Sequence, residues 1–134
     1  GAETILVVED EEAVRSATVA MLADLGYQVL ASPDADDAAQ LLEGGTRIDL
    51  LFTDVIMPGR LTSLELSELL KRHQPQARVL FTSGYAEGLL AHDGKLPHGV
   101  NLLAKPYTLE TLSARIRQLL RQRATEAGTD ITAA

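Results

Sequence analysis

The stretch Thr4–Glu9 (TILVVE) contains the pattern that decides the fold: a continuous apolar run, mostly β-branched, that stops at consecutive acids. A strand buried on both faces is apolar at every position, whereas a strand with one face in water alternates apolar and polar residues. This run therefore predicts a strand in a parallel sheet that is covered on both sides.

Similar runs recur along the chain, separated by stretches with helical periodicity. The further predicted strands are Tyr27–Ala31, Ile48–Thr53, Ala77–Thr82 and Val100–Ala104. The predicted helices are Glu11–Leu25, a segment from Ser32 to Gly45, Ser63–His73, residues 84–96 and Leu109–Arg123. Alternating strands and helices favour an α/β fold in which a five-stranded parallel sheet carries helices on both faces, because right-handed crossovers place them there.

Length and composition limit the possible functions. The 134 residues suffice for one domain, which we assign to residues 3–123, followed by a flexible tail over residues 124–134. The net charge of −7 argues against direct binding to nucleic acid, since an acidic chain repels phosphate backbones. Because the chain shows neither an apolar run of membrane-spanning length nor a signal-peptide pattern, we expect a cytoplasmic protein without a membrane segment.

Polar and charged residues follow four of the five predicted strands. Glu9 and Asp10 end the first strand, Asp54 the third and Thr82 the fourth, and Lys105 follows the fifth. The carboxyl ends of parallel strands meet at one edge of a sheet, so we expect these side chains to converge. Carboxylates about 4 Å apart repel each other by ~1 kcal/mol in water and by ~4 kcal/mol at an effective dielectric of 20, so the cluster requires a cation, a proton or Lys105 to offset the repulsion.

A divalent ion and a phosphoryl group suit this set of residues. Mg²⁺ takes oxygen ligands from one or two carboxylates and from phosphates. Asp54 could then attack phosphorus as a nucleophile, while Lys105 and Thr82 hold the phosphoryl oxygens. Each residue has a simpler explanation when taken alone, such as a helix cap for Asp10, but their joint placement at the strand ends favours the shared site.

Four motifs in order carry a resemblance to a known family: ILVVEDE (5–11), LLFTDVIMPG (50–59), VLFTSGY (79–85) and LLAKPY (102–107). Together they resemble the receiver domain of two-component response regulators over about residues 3–122. The resemblance implies a flavodoxin-like sheet with strand order 2-1-3-4-5. It also implies a domain that catalyses its own phosphorylation and dephosphorylation and is not otherwise an enzyme.

The resemblance further implies a role for each matching residue. Asp54 would be the phosphoacceptor and a Mg²⁺ ligand, and Asp10 a direct Mg²⁺ ligand. Glu9 would belong to the acidic pocket without direct coordination. The remaining implied roles are a metal-binding backbone carbonyl at Ile56, a switch hydroxyl at Thr82 and a phosphate-binding ammonium at Lys105.

The implied partners are a sensor histidine kinase or a phosphotransfer domain, whose phosphohistidine supplies the phosphoryl group. A dimer or output partner would use the face formed by the fourth helix, fifth strand and last helix, where the basic residues are Arg115, Arg117, Arg121 and Arg123. Two origins fit: a stand-alone regulator, or the C-terminal receiver of a hybrid sensor kinase. The sequences of residues 53–59 and 81–90 favour the hybrid kinase.

Three departures from the family pattern concern the switch and the loops. Leu102 stands where the family commonly has an aromatic residue, and Ser63 where it usually has glycine. Ile56 and Gly84 occupy positions that often tune acyl-phosphate hydrolysis, and neither side chain can orient a water. We therefore expect dephosphorylation without assistance from those two positions.

Two other functions compete with the receiver hypothesis. A receiver-like interaction module that is never phosphorylated would be compatible with Leu102, although the complete set of acidic, Thr and Lys positions argues against it. A flavin-binding electron carrier of similar topology would need a Ser/Thr/Gly-rich phosphate loop after the first strand. Residues 9–12 (EDEE) would repel such a cofactor.

Overall fold

The structure is a computed structural model that describes residues 3–55, 61–83 and 101–133, with side chains described as far as Gln122. Its strands are β1 (Thr4–Val8), β2 (Gln28–Ser32), β3 (Leu50–Asp54), β4 (Arg78–Ser83) and β5 (Leu102–Ala104). Its helices are α1 (Glu12–Asp24), α2 (Ala35–Glu43), α3 (Ser63–His73) and α4 (Leu109–Ala133). The helix predicted at residues 84–96 lies outside the described residues, so α4 denotes the final helix.

The strands form one parallel sheet in the order β2-β1-β3-β4-β5, which confirms the predicted topology. The register sets Val8 opposite Thr53 and Asp54 opposite Thr82. The chain passes from β1 to β2 on one side of β1 and then returns to β3 on its other side. This reversal of strand order opens a crevice beyond the carboxyl ends of β1 and β3, where α/β sheets generally bind ligands.

Each face of the sheet carries its own apolar core. The cluster on the α2 and α3 face contains Leu6, Val8, Ala35, Ala38, Ala39, Leu42, Ile48, Leu51, Leu66, Leu70, Ala77, Val79 and Phe81. The cluster on the α1 and α4 face contains Ile5, Val7, Leu22, Leu50, Phe52, Leu80, Leu112, Ile116, Leu119 and Leu120. Neighbouring residues of β1 and β3 alternate between the two clusters, which explains why both strands are apolar without interruption.

Two helices differ from their predicted form. In α1 the apolar residues Ala17 and Leu25 are exposed, and the buried residues are Thr18 and Leu22. Burial of Thr18 is possible because its hydroxyl donates to the Val14 carbonyl at 2.9 Å. The predicted end of the last helix at Arg123 is wrong, since α4 continues to Ala133 through residues that include no proline. A flexible tail over residues 124–134 stays a prediction.

Local capping fixes where α3 begins. The Thr62 hydroxyl accepts the Glu65 N–H at 3.1 Å, and the Glu65 carboxylate accepts the Thr62 N–H at 2.9 Å. This reciprocal pair, a capping box, satisfies two backbone donors that a helix start leaves free. Ser63 consequently occupies the first helical position, next to the end of β3.

Strand β5 forms one edge of the sheet. Hydrogen bonds to β4 use the Asn101 carbonyl and the Lys105 N–H, so by alternation the Leu102 carbonyl points away from the sheet. Arg115 of α4 donates to that carbonyl at 3.3 Å. None of the described helices combines the length and apolar character needed to span a membrane.

Candidate functional site at the carboxyl edge of the sheet

The structure brings the predicted site residues together at one edge of the sheet. Lys105 Nζ lies 2.7 Å from Asp54 Oδ2 and 3.0 Å from Glu9 Oε1. Asp54 and Thr82 are register partners on β3 and β4. The backbone ladder continues one residue past β1 and β5, with the Glu9 N–H donating to the Ser32 carbonyl at 3.1 Å and the Lys105 N–H to the Ser83 carbonyl at 2.7 Å. These main-chain bonds hold the charged residues in place.

Three carboxylates cluster in the crevice between β1 and β3. Glu9, Asp10 and Asp54 each place a carboxylate oxygen within 4.8 Å of the others. Glu9 and Asp54 are only 4% and 3% exposed, whereas Asp10 faces solvent. Carboxylate oxygens are the kind of ligand that a hard divalent ion such as Mg²⁺ takes, and the exposed Asp10 leaves one side of the cluster accessible.

Lys105 offsets part of this negative charge. Burial by itself would lower the pKa of Lys105, but its hydrogen bonds to Asp54 and Glu9 and their charges outweigh burial and raise the pKa above its ordinary value of 10.5. Burial would likewise raise the pKa of Glu9, yet hydrogen bonds from Lys105 and from the Glu11 N–H leave it lower than usual. The ion pair therefore stays charged at neutral pH.

Asp10 shows the opposite shift. Its pKa is raised by desolvation first and then by the neighbouring Glu9, with a further contribution from the charge of Glu11. The carboxylate at this position is thus destabilised by its surroundings. A cation bound beside Asp10 would relieve that repulsion.

The Thr82 hydroxyl is the second feature that points to a ligand. Thr82 is 2% exposed, and its Oγ1 makes no hydrogen bond within the described parts of the chain. Leaving a buried hydroxyl unpaired costs ~1–3 kcal/mol, and folded proteins keep such groups mainly where function requires them. Since Thr82 is the register partner of Asp54, its hydroxyl is available to an oxygen of a group bound at Asp54.

Other contacts at this edge involve residues that the sequence did not identify as part of the site. Arg15 of α1 donates to the Glu9 carbonyl at 2.8 Å. The Tyr107 hydroxyl lies 2.8 Å from Thr18 Oγ1, and its ring packs edge-on against Phe52 with centroids 5.5 Å apart. Contacts to backbone carbonyls leave no mark in the sequence, so Arg15 could not have been found from it. Tyr107 could have been found through its position two residues after Lys105.

Hydroxyl groups also hold the main chain at Asp54. Ser63 Oγ donates to the Asp54 carbonyl, and Thr53 Oγ1 donates to the same oxygen at 3.1 Å. The next amide, the Val55 N–H, donates to the Thr82 carbonyl at 2.9 Å. The sequence marked Ser63 as a departure from a family pattern without indicating this contact. Ile56, expected to offer a carbonyl to the metal, lies outside the described residues.

Within the described residues, the site combines a buried carboxylate beside a lysine, two further carboxylates and a buried hydroxyl that makes no hydrogen bond. Chemically, such a set could supply a nucleophile, a cation site and two donors to an anion. The family model for the response regulator receiver domain matches residues 5–117 of this chain. The chain belongs to the response regulator receiver domain family. Its fold and its place in two-component signalling follow from that membership.

Known relatives of this receiver domain include both large and small proteins. The chain is 34% identical over 123 residues to the sensor kinase CckA of Brucella abortus, covering 91% of the chain but 13% of CckA. It is 29% identical to the response regulator receiver protein CpdR of the same species, covering 87% of the chain and 95% of CpdR. The transcriptional regulators that it also matches are about twice as long as the aligned region, which spans 49% and 52% of two of them.

A solved structure supports the same assignment. The crystal structure of the receiver domain from the hybrid histidine kinase CckA is 36% identical to this chain, with a TM-score of 0.71. The match covers 87% of this chain and 98% of the other. The receiver domain described here is therefore similar both in sequence and in fold to a receiver taken from a hybrid kinase.

Proposed function

We propose that this receiver domain, over residues 3–123, accepts a phosphoryl group on Asp54 from a phosphohistidine, with Mg²⁺ bound at the acidic pocket. The observation that supports the proposal most directly is the position of Lys105, within hydrogen-bonding distance of both Glu9 and Asp54. Lys105 thereby joins the nucleophile to the acidic pocket. The cytoplasm is the proposed site of action.

The proposed reaction is an in-line displacement at phosphorus. A carboxylate oxygen of Asp54 forms a bond to phosphorus as the phosphorus–nitrogen bond to the donor imidazole breaks, and the nitrogen keeps that electron pair. Mg²⁺, when bound, would neutralise charge on the phosphoryl oxygens. Lys105 would move its hydrogen bond from Asp54 Oδ2 to a phosphoryl oxygen, and Thr82 would donate its hydroxyl to another.

The proposed direct metal ligands are the carboxylates of Asp10 and Asp54 and the backbone carbonyl of Ile56. Glu9 would belong to the acidic pocket without coordinating the metal directly. The raised pKa of Asp10, caused by desolvation and by Glu9, supports a cation at that position. Glu9 already accepts hydrogen bonds from Lys105 and from the Glu11 N–H at 3.2 Å. An indirect role for Glu9 agrees with those existing partners.

The phosphoryl donor needs a surface beside Asp54. A pocket of about 550 Å³ lies between α1 and the loop that carries Lys105. Its lining is mostly apolar and includes Ala13, Val14, Ala17, Met21 and Pro106. Exposed apolar residues at the mouth of a charged site fit a protein partner. We propose that a sensor histidine kinase or a phosphotransfer domain binds there.

The proposed origin is the receiver of a hybrid sensor kinase. Both the Brucella kinase CckA and the crystallised CckA receiver are more than 30% identical to this chain. A stand-alone regulator is the competing possibility, supported by the match to nearly all of CpdR. A dimer or output partner on the face that includes β5 and α4 remains part of the proposal.

The decisive experiment incubates the chain with Mg²⁺ and acetyl phosphate and measures its intact mass. We expect the wild type to gain the mass of one phosphate and Asp54→Asn to gain none. Asp49→Asn is the matched control, because Asp49 is equally buried, at 5% exposure, but ends no strand. Full labelling of Asp54→Asn would place the phosphoryl group elsewhere.

A receiver-like interaction module that is not phosphorylated is the second candidate. The observation in its favour is Leu102, which is half-buried against the α2 and α3 core cluster at the position where the family commonly has an aromatic ring. A wild type that gains no mass from acetyl phosphate or from a phosphorylated donor protein would favour this candidate.

A further inference from the structure

We propose that Ser63 is a positioning residue that orients the phosphoacceptor through the peptide group between Asp54 and Val55. The inference rests on the proposed function of Asp54. It adds a residue outside the set of acidic, Thr and Lys positions and gives a role to a side chain that stands where the family usually has glycine.

The peptide group after Asp54 is held on both sides. Its carbonyl accepts hydrogen bonds from the hydroxyls of Ser63 and Thr53, the latter at 3.1 Å. Its N–H, which belongs to Val55, donates to the Thr82 carbonyl at 2.9 Å. Three hydrogen bonds on one peptide group restrict its rotation, because turning the plane would break bonds at both ends.

The restricted rotation of this peptide group also limits the position of the Asp54 carboxylate. The torsion ψ of Asp54 sets the direction of its Cα–Cβ bond relative to this peptide group, so holding the peptide group against β4 and α3 limits how far the side chain can turn. Asp54 sits at the last position of β3, and among the described residues the Val55 N–H is the last group of this strand that bonds to β4. The hydroxyl from α3 thus adds a hydrogen bond to the carbonyl of the residue proposed to attack phosphorus.

Ser63 is itself firmly placed. It is 2% exposed and occupies the first position of α3, directly after the N-cap residue Thr62. Burying a hydroxyl is unfavourable unless it is hydrogen-bonded, and the Asp54 carbonyl supplies that partner. With glycine at this position, the Asp54 carbonyl would keep the hydrogen bond from the Thr53 hydroxyl but would lose the hydrogen bond from α3.

The test compares Ser63→Ala with Thr62→Ala in the acetyl phosphate reaction, following labelling by intact mass at several acetyl phosphate concentrations. Removing the Ser63 hydroxyl should lower the maximum rate about tenfold, less than the ~100-fold that a displacement of about 1 Å can cost. The concentration giving half the maximum rate should change less than about twofold, because Lys105 and the acidic pocket still bind the phosphoryl group. Thr62→Ala removes the cap of the same helix but keeps the hydroxyl, and should retain the wild-type rate.

Several outcomes would overturn the inference. A wild-type maximum rate in Ser63→Ala would do so, as would an equal loss in Thr62→Ala, which would reduce the effect to helix stability. If Ser63→Ala does not fold, Ser63→Gly serves in its place, since glycine has no side chain to misfit there. A wild type that takes no phosphate from acetyl phosphate or from a phosphorylated donor protein would instead defeat the proposed function, and this inference with it. Circular dichroism of every variant establishes folding.

Discussion

The two edges of the sheet each carry buried acids, but their surroundings differ. At the amino edge, Asp49 accepts the Thr4 N–H at 2.8 Å and lies 3.5 Å from Arg47, which is 81% exposed. At the carboxyl edge, Glu9 and Asp54 share Lys105 with a third carboxylate nearby. At the amino edge, a backbone donor and a solvent-exposed cation thus balance the charge of one buried carboxylate.

Within the described residues, three carboxylates gather around Lys105 beside the buried Thr82 hydroxyl, which makes no hydrogen bond there, so like charges are concentrated at this edge. The comparison teaches that burial of an acid is a weak sign of function. A cluster of like charges in a crevice is the more informative sign, because such clusters are frequent at functional sites. Removing a cation or a carboxylate from each edge tests this contrast.

The largest expected effect concerns the cations at the two edges, Lys105 and Arg47. Lys105→Met should lower the maximum rate of phosphorylation by acetyl phosphate about 100-fold, the typical loss on removing one group that stabilises transition-state charge. Arg47→Met removes a cation that also contacts a buried carboxylate, but at the other edge, and should keep the rate within about twofold. Intact mass over time measures both. Similar rates in the two variants would remove the distinction between the edges.

The second effect concerns metal binding. At ten times its Kd, Mg²⁺ should stabilise the wild type by about 1.4 kcal/mol through mass action on the folded state. Asp54→Asn should lose most of this stabilisation, whereas Asp49→Asn should keep it because Asp49 lies at the amino edge. Thermal unfolding with Mg²⁺ and with a chelator provides the measurement. An undiminished Mg²⁺ response in Asp54→Asn would locate the ion away from this pocket.

The third effect tests how α1 is attached to the carboxyl edge. Thr18 donates its hydroxyl to the Val14 carbonyl, so the Tyr107 hydroxyl must donate to Thr18. Tyr107→Phe should reduce the free energy of unfolding by about 1 kcal/mol, the usual net value of one hydrogen bond. A double-mutant cycle with Thr18→Val, measured by urea unfolding, isolates the pair. Fully additive losses would show that the two hydroxyls do not interact.

How far the sequence predicted these features depends on their physical origin. The strand order followed from the resemblance to receiver domains. The meeting of Asp54, Thr82 and Lys105 was predictable because parallel strands in a doubly covered sheet end at one edge. The buried face of α1 could not be predicted. Burial of Thr18 in place of Ala17 depends on the hydroxyl of Tyr107, which lies 89 positions away in the chain. The hydrogen bond from Ser63 of α3 to Asp54 could not be predicted either, because its acceptor is a backbone carbonyl.

The smallest expected effect concerns the capping box of α3. Hydrogen bonds from the Thr62 N–H and hydroxyl lower the pKa of Glu65 below its ordinary value of 4.5. A lowered pKa in the folded state means that ionised Glu65 stabilises the fold above pH ~4.5 and that this contribution is lost as the pH falls through the folded-state pKa. The melting temperature of the wild type should exceed that of Glu65→Gln slightly at pH 7, and the difference should vanish at acid pH. A difference independent of pH would assign the effect to the shape of the side chain.

The contact between Arg115 and the outward carbonyl of Leu102 bears on whether another extended chain can pair with the edge strand β5. An edge strand with open acceptors is a template on which another extended chain can add. Because the guanidinium from the covering helix already occupies that acceptor, an incoming strand would have to break a charged hydrogen bond before gaining one of its own. The final helix thus protects the sheet at its border as well as filling its core.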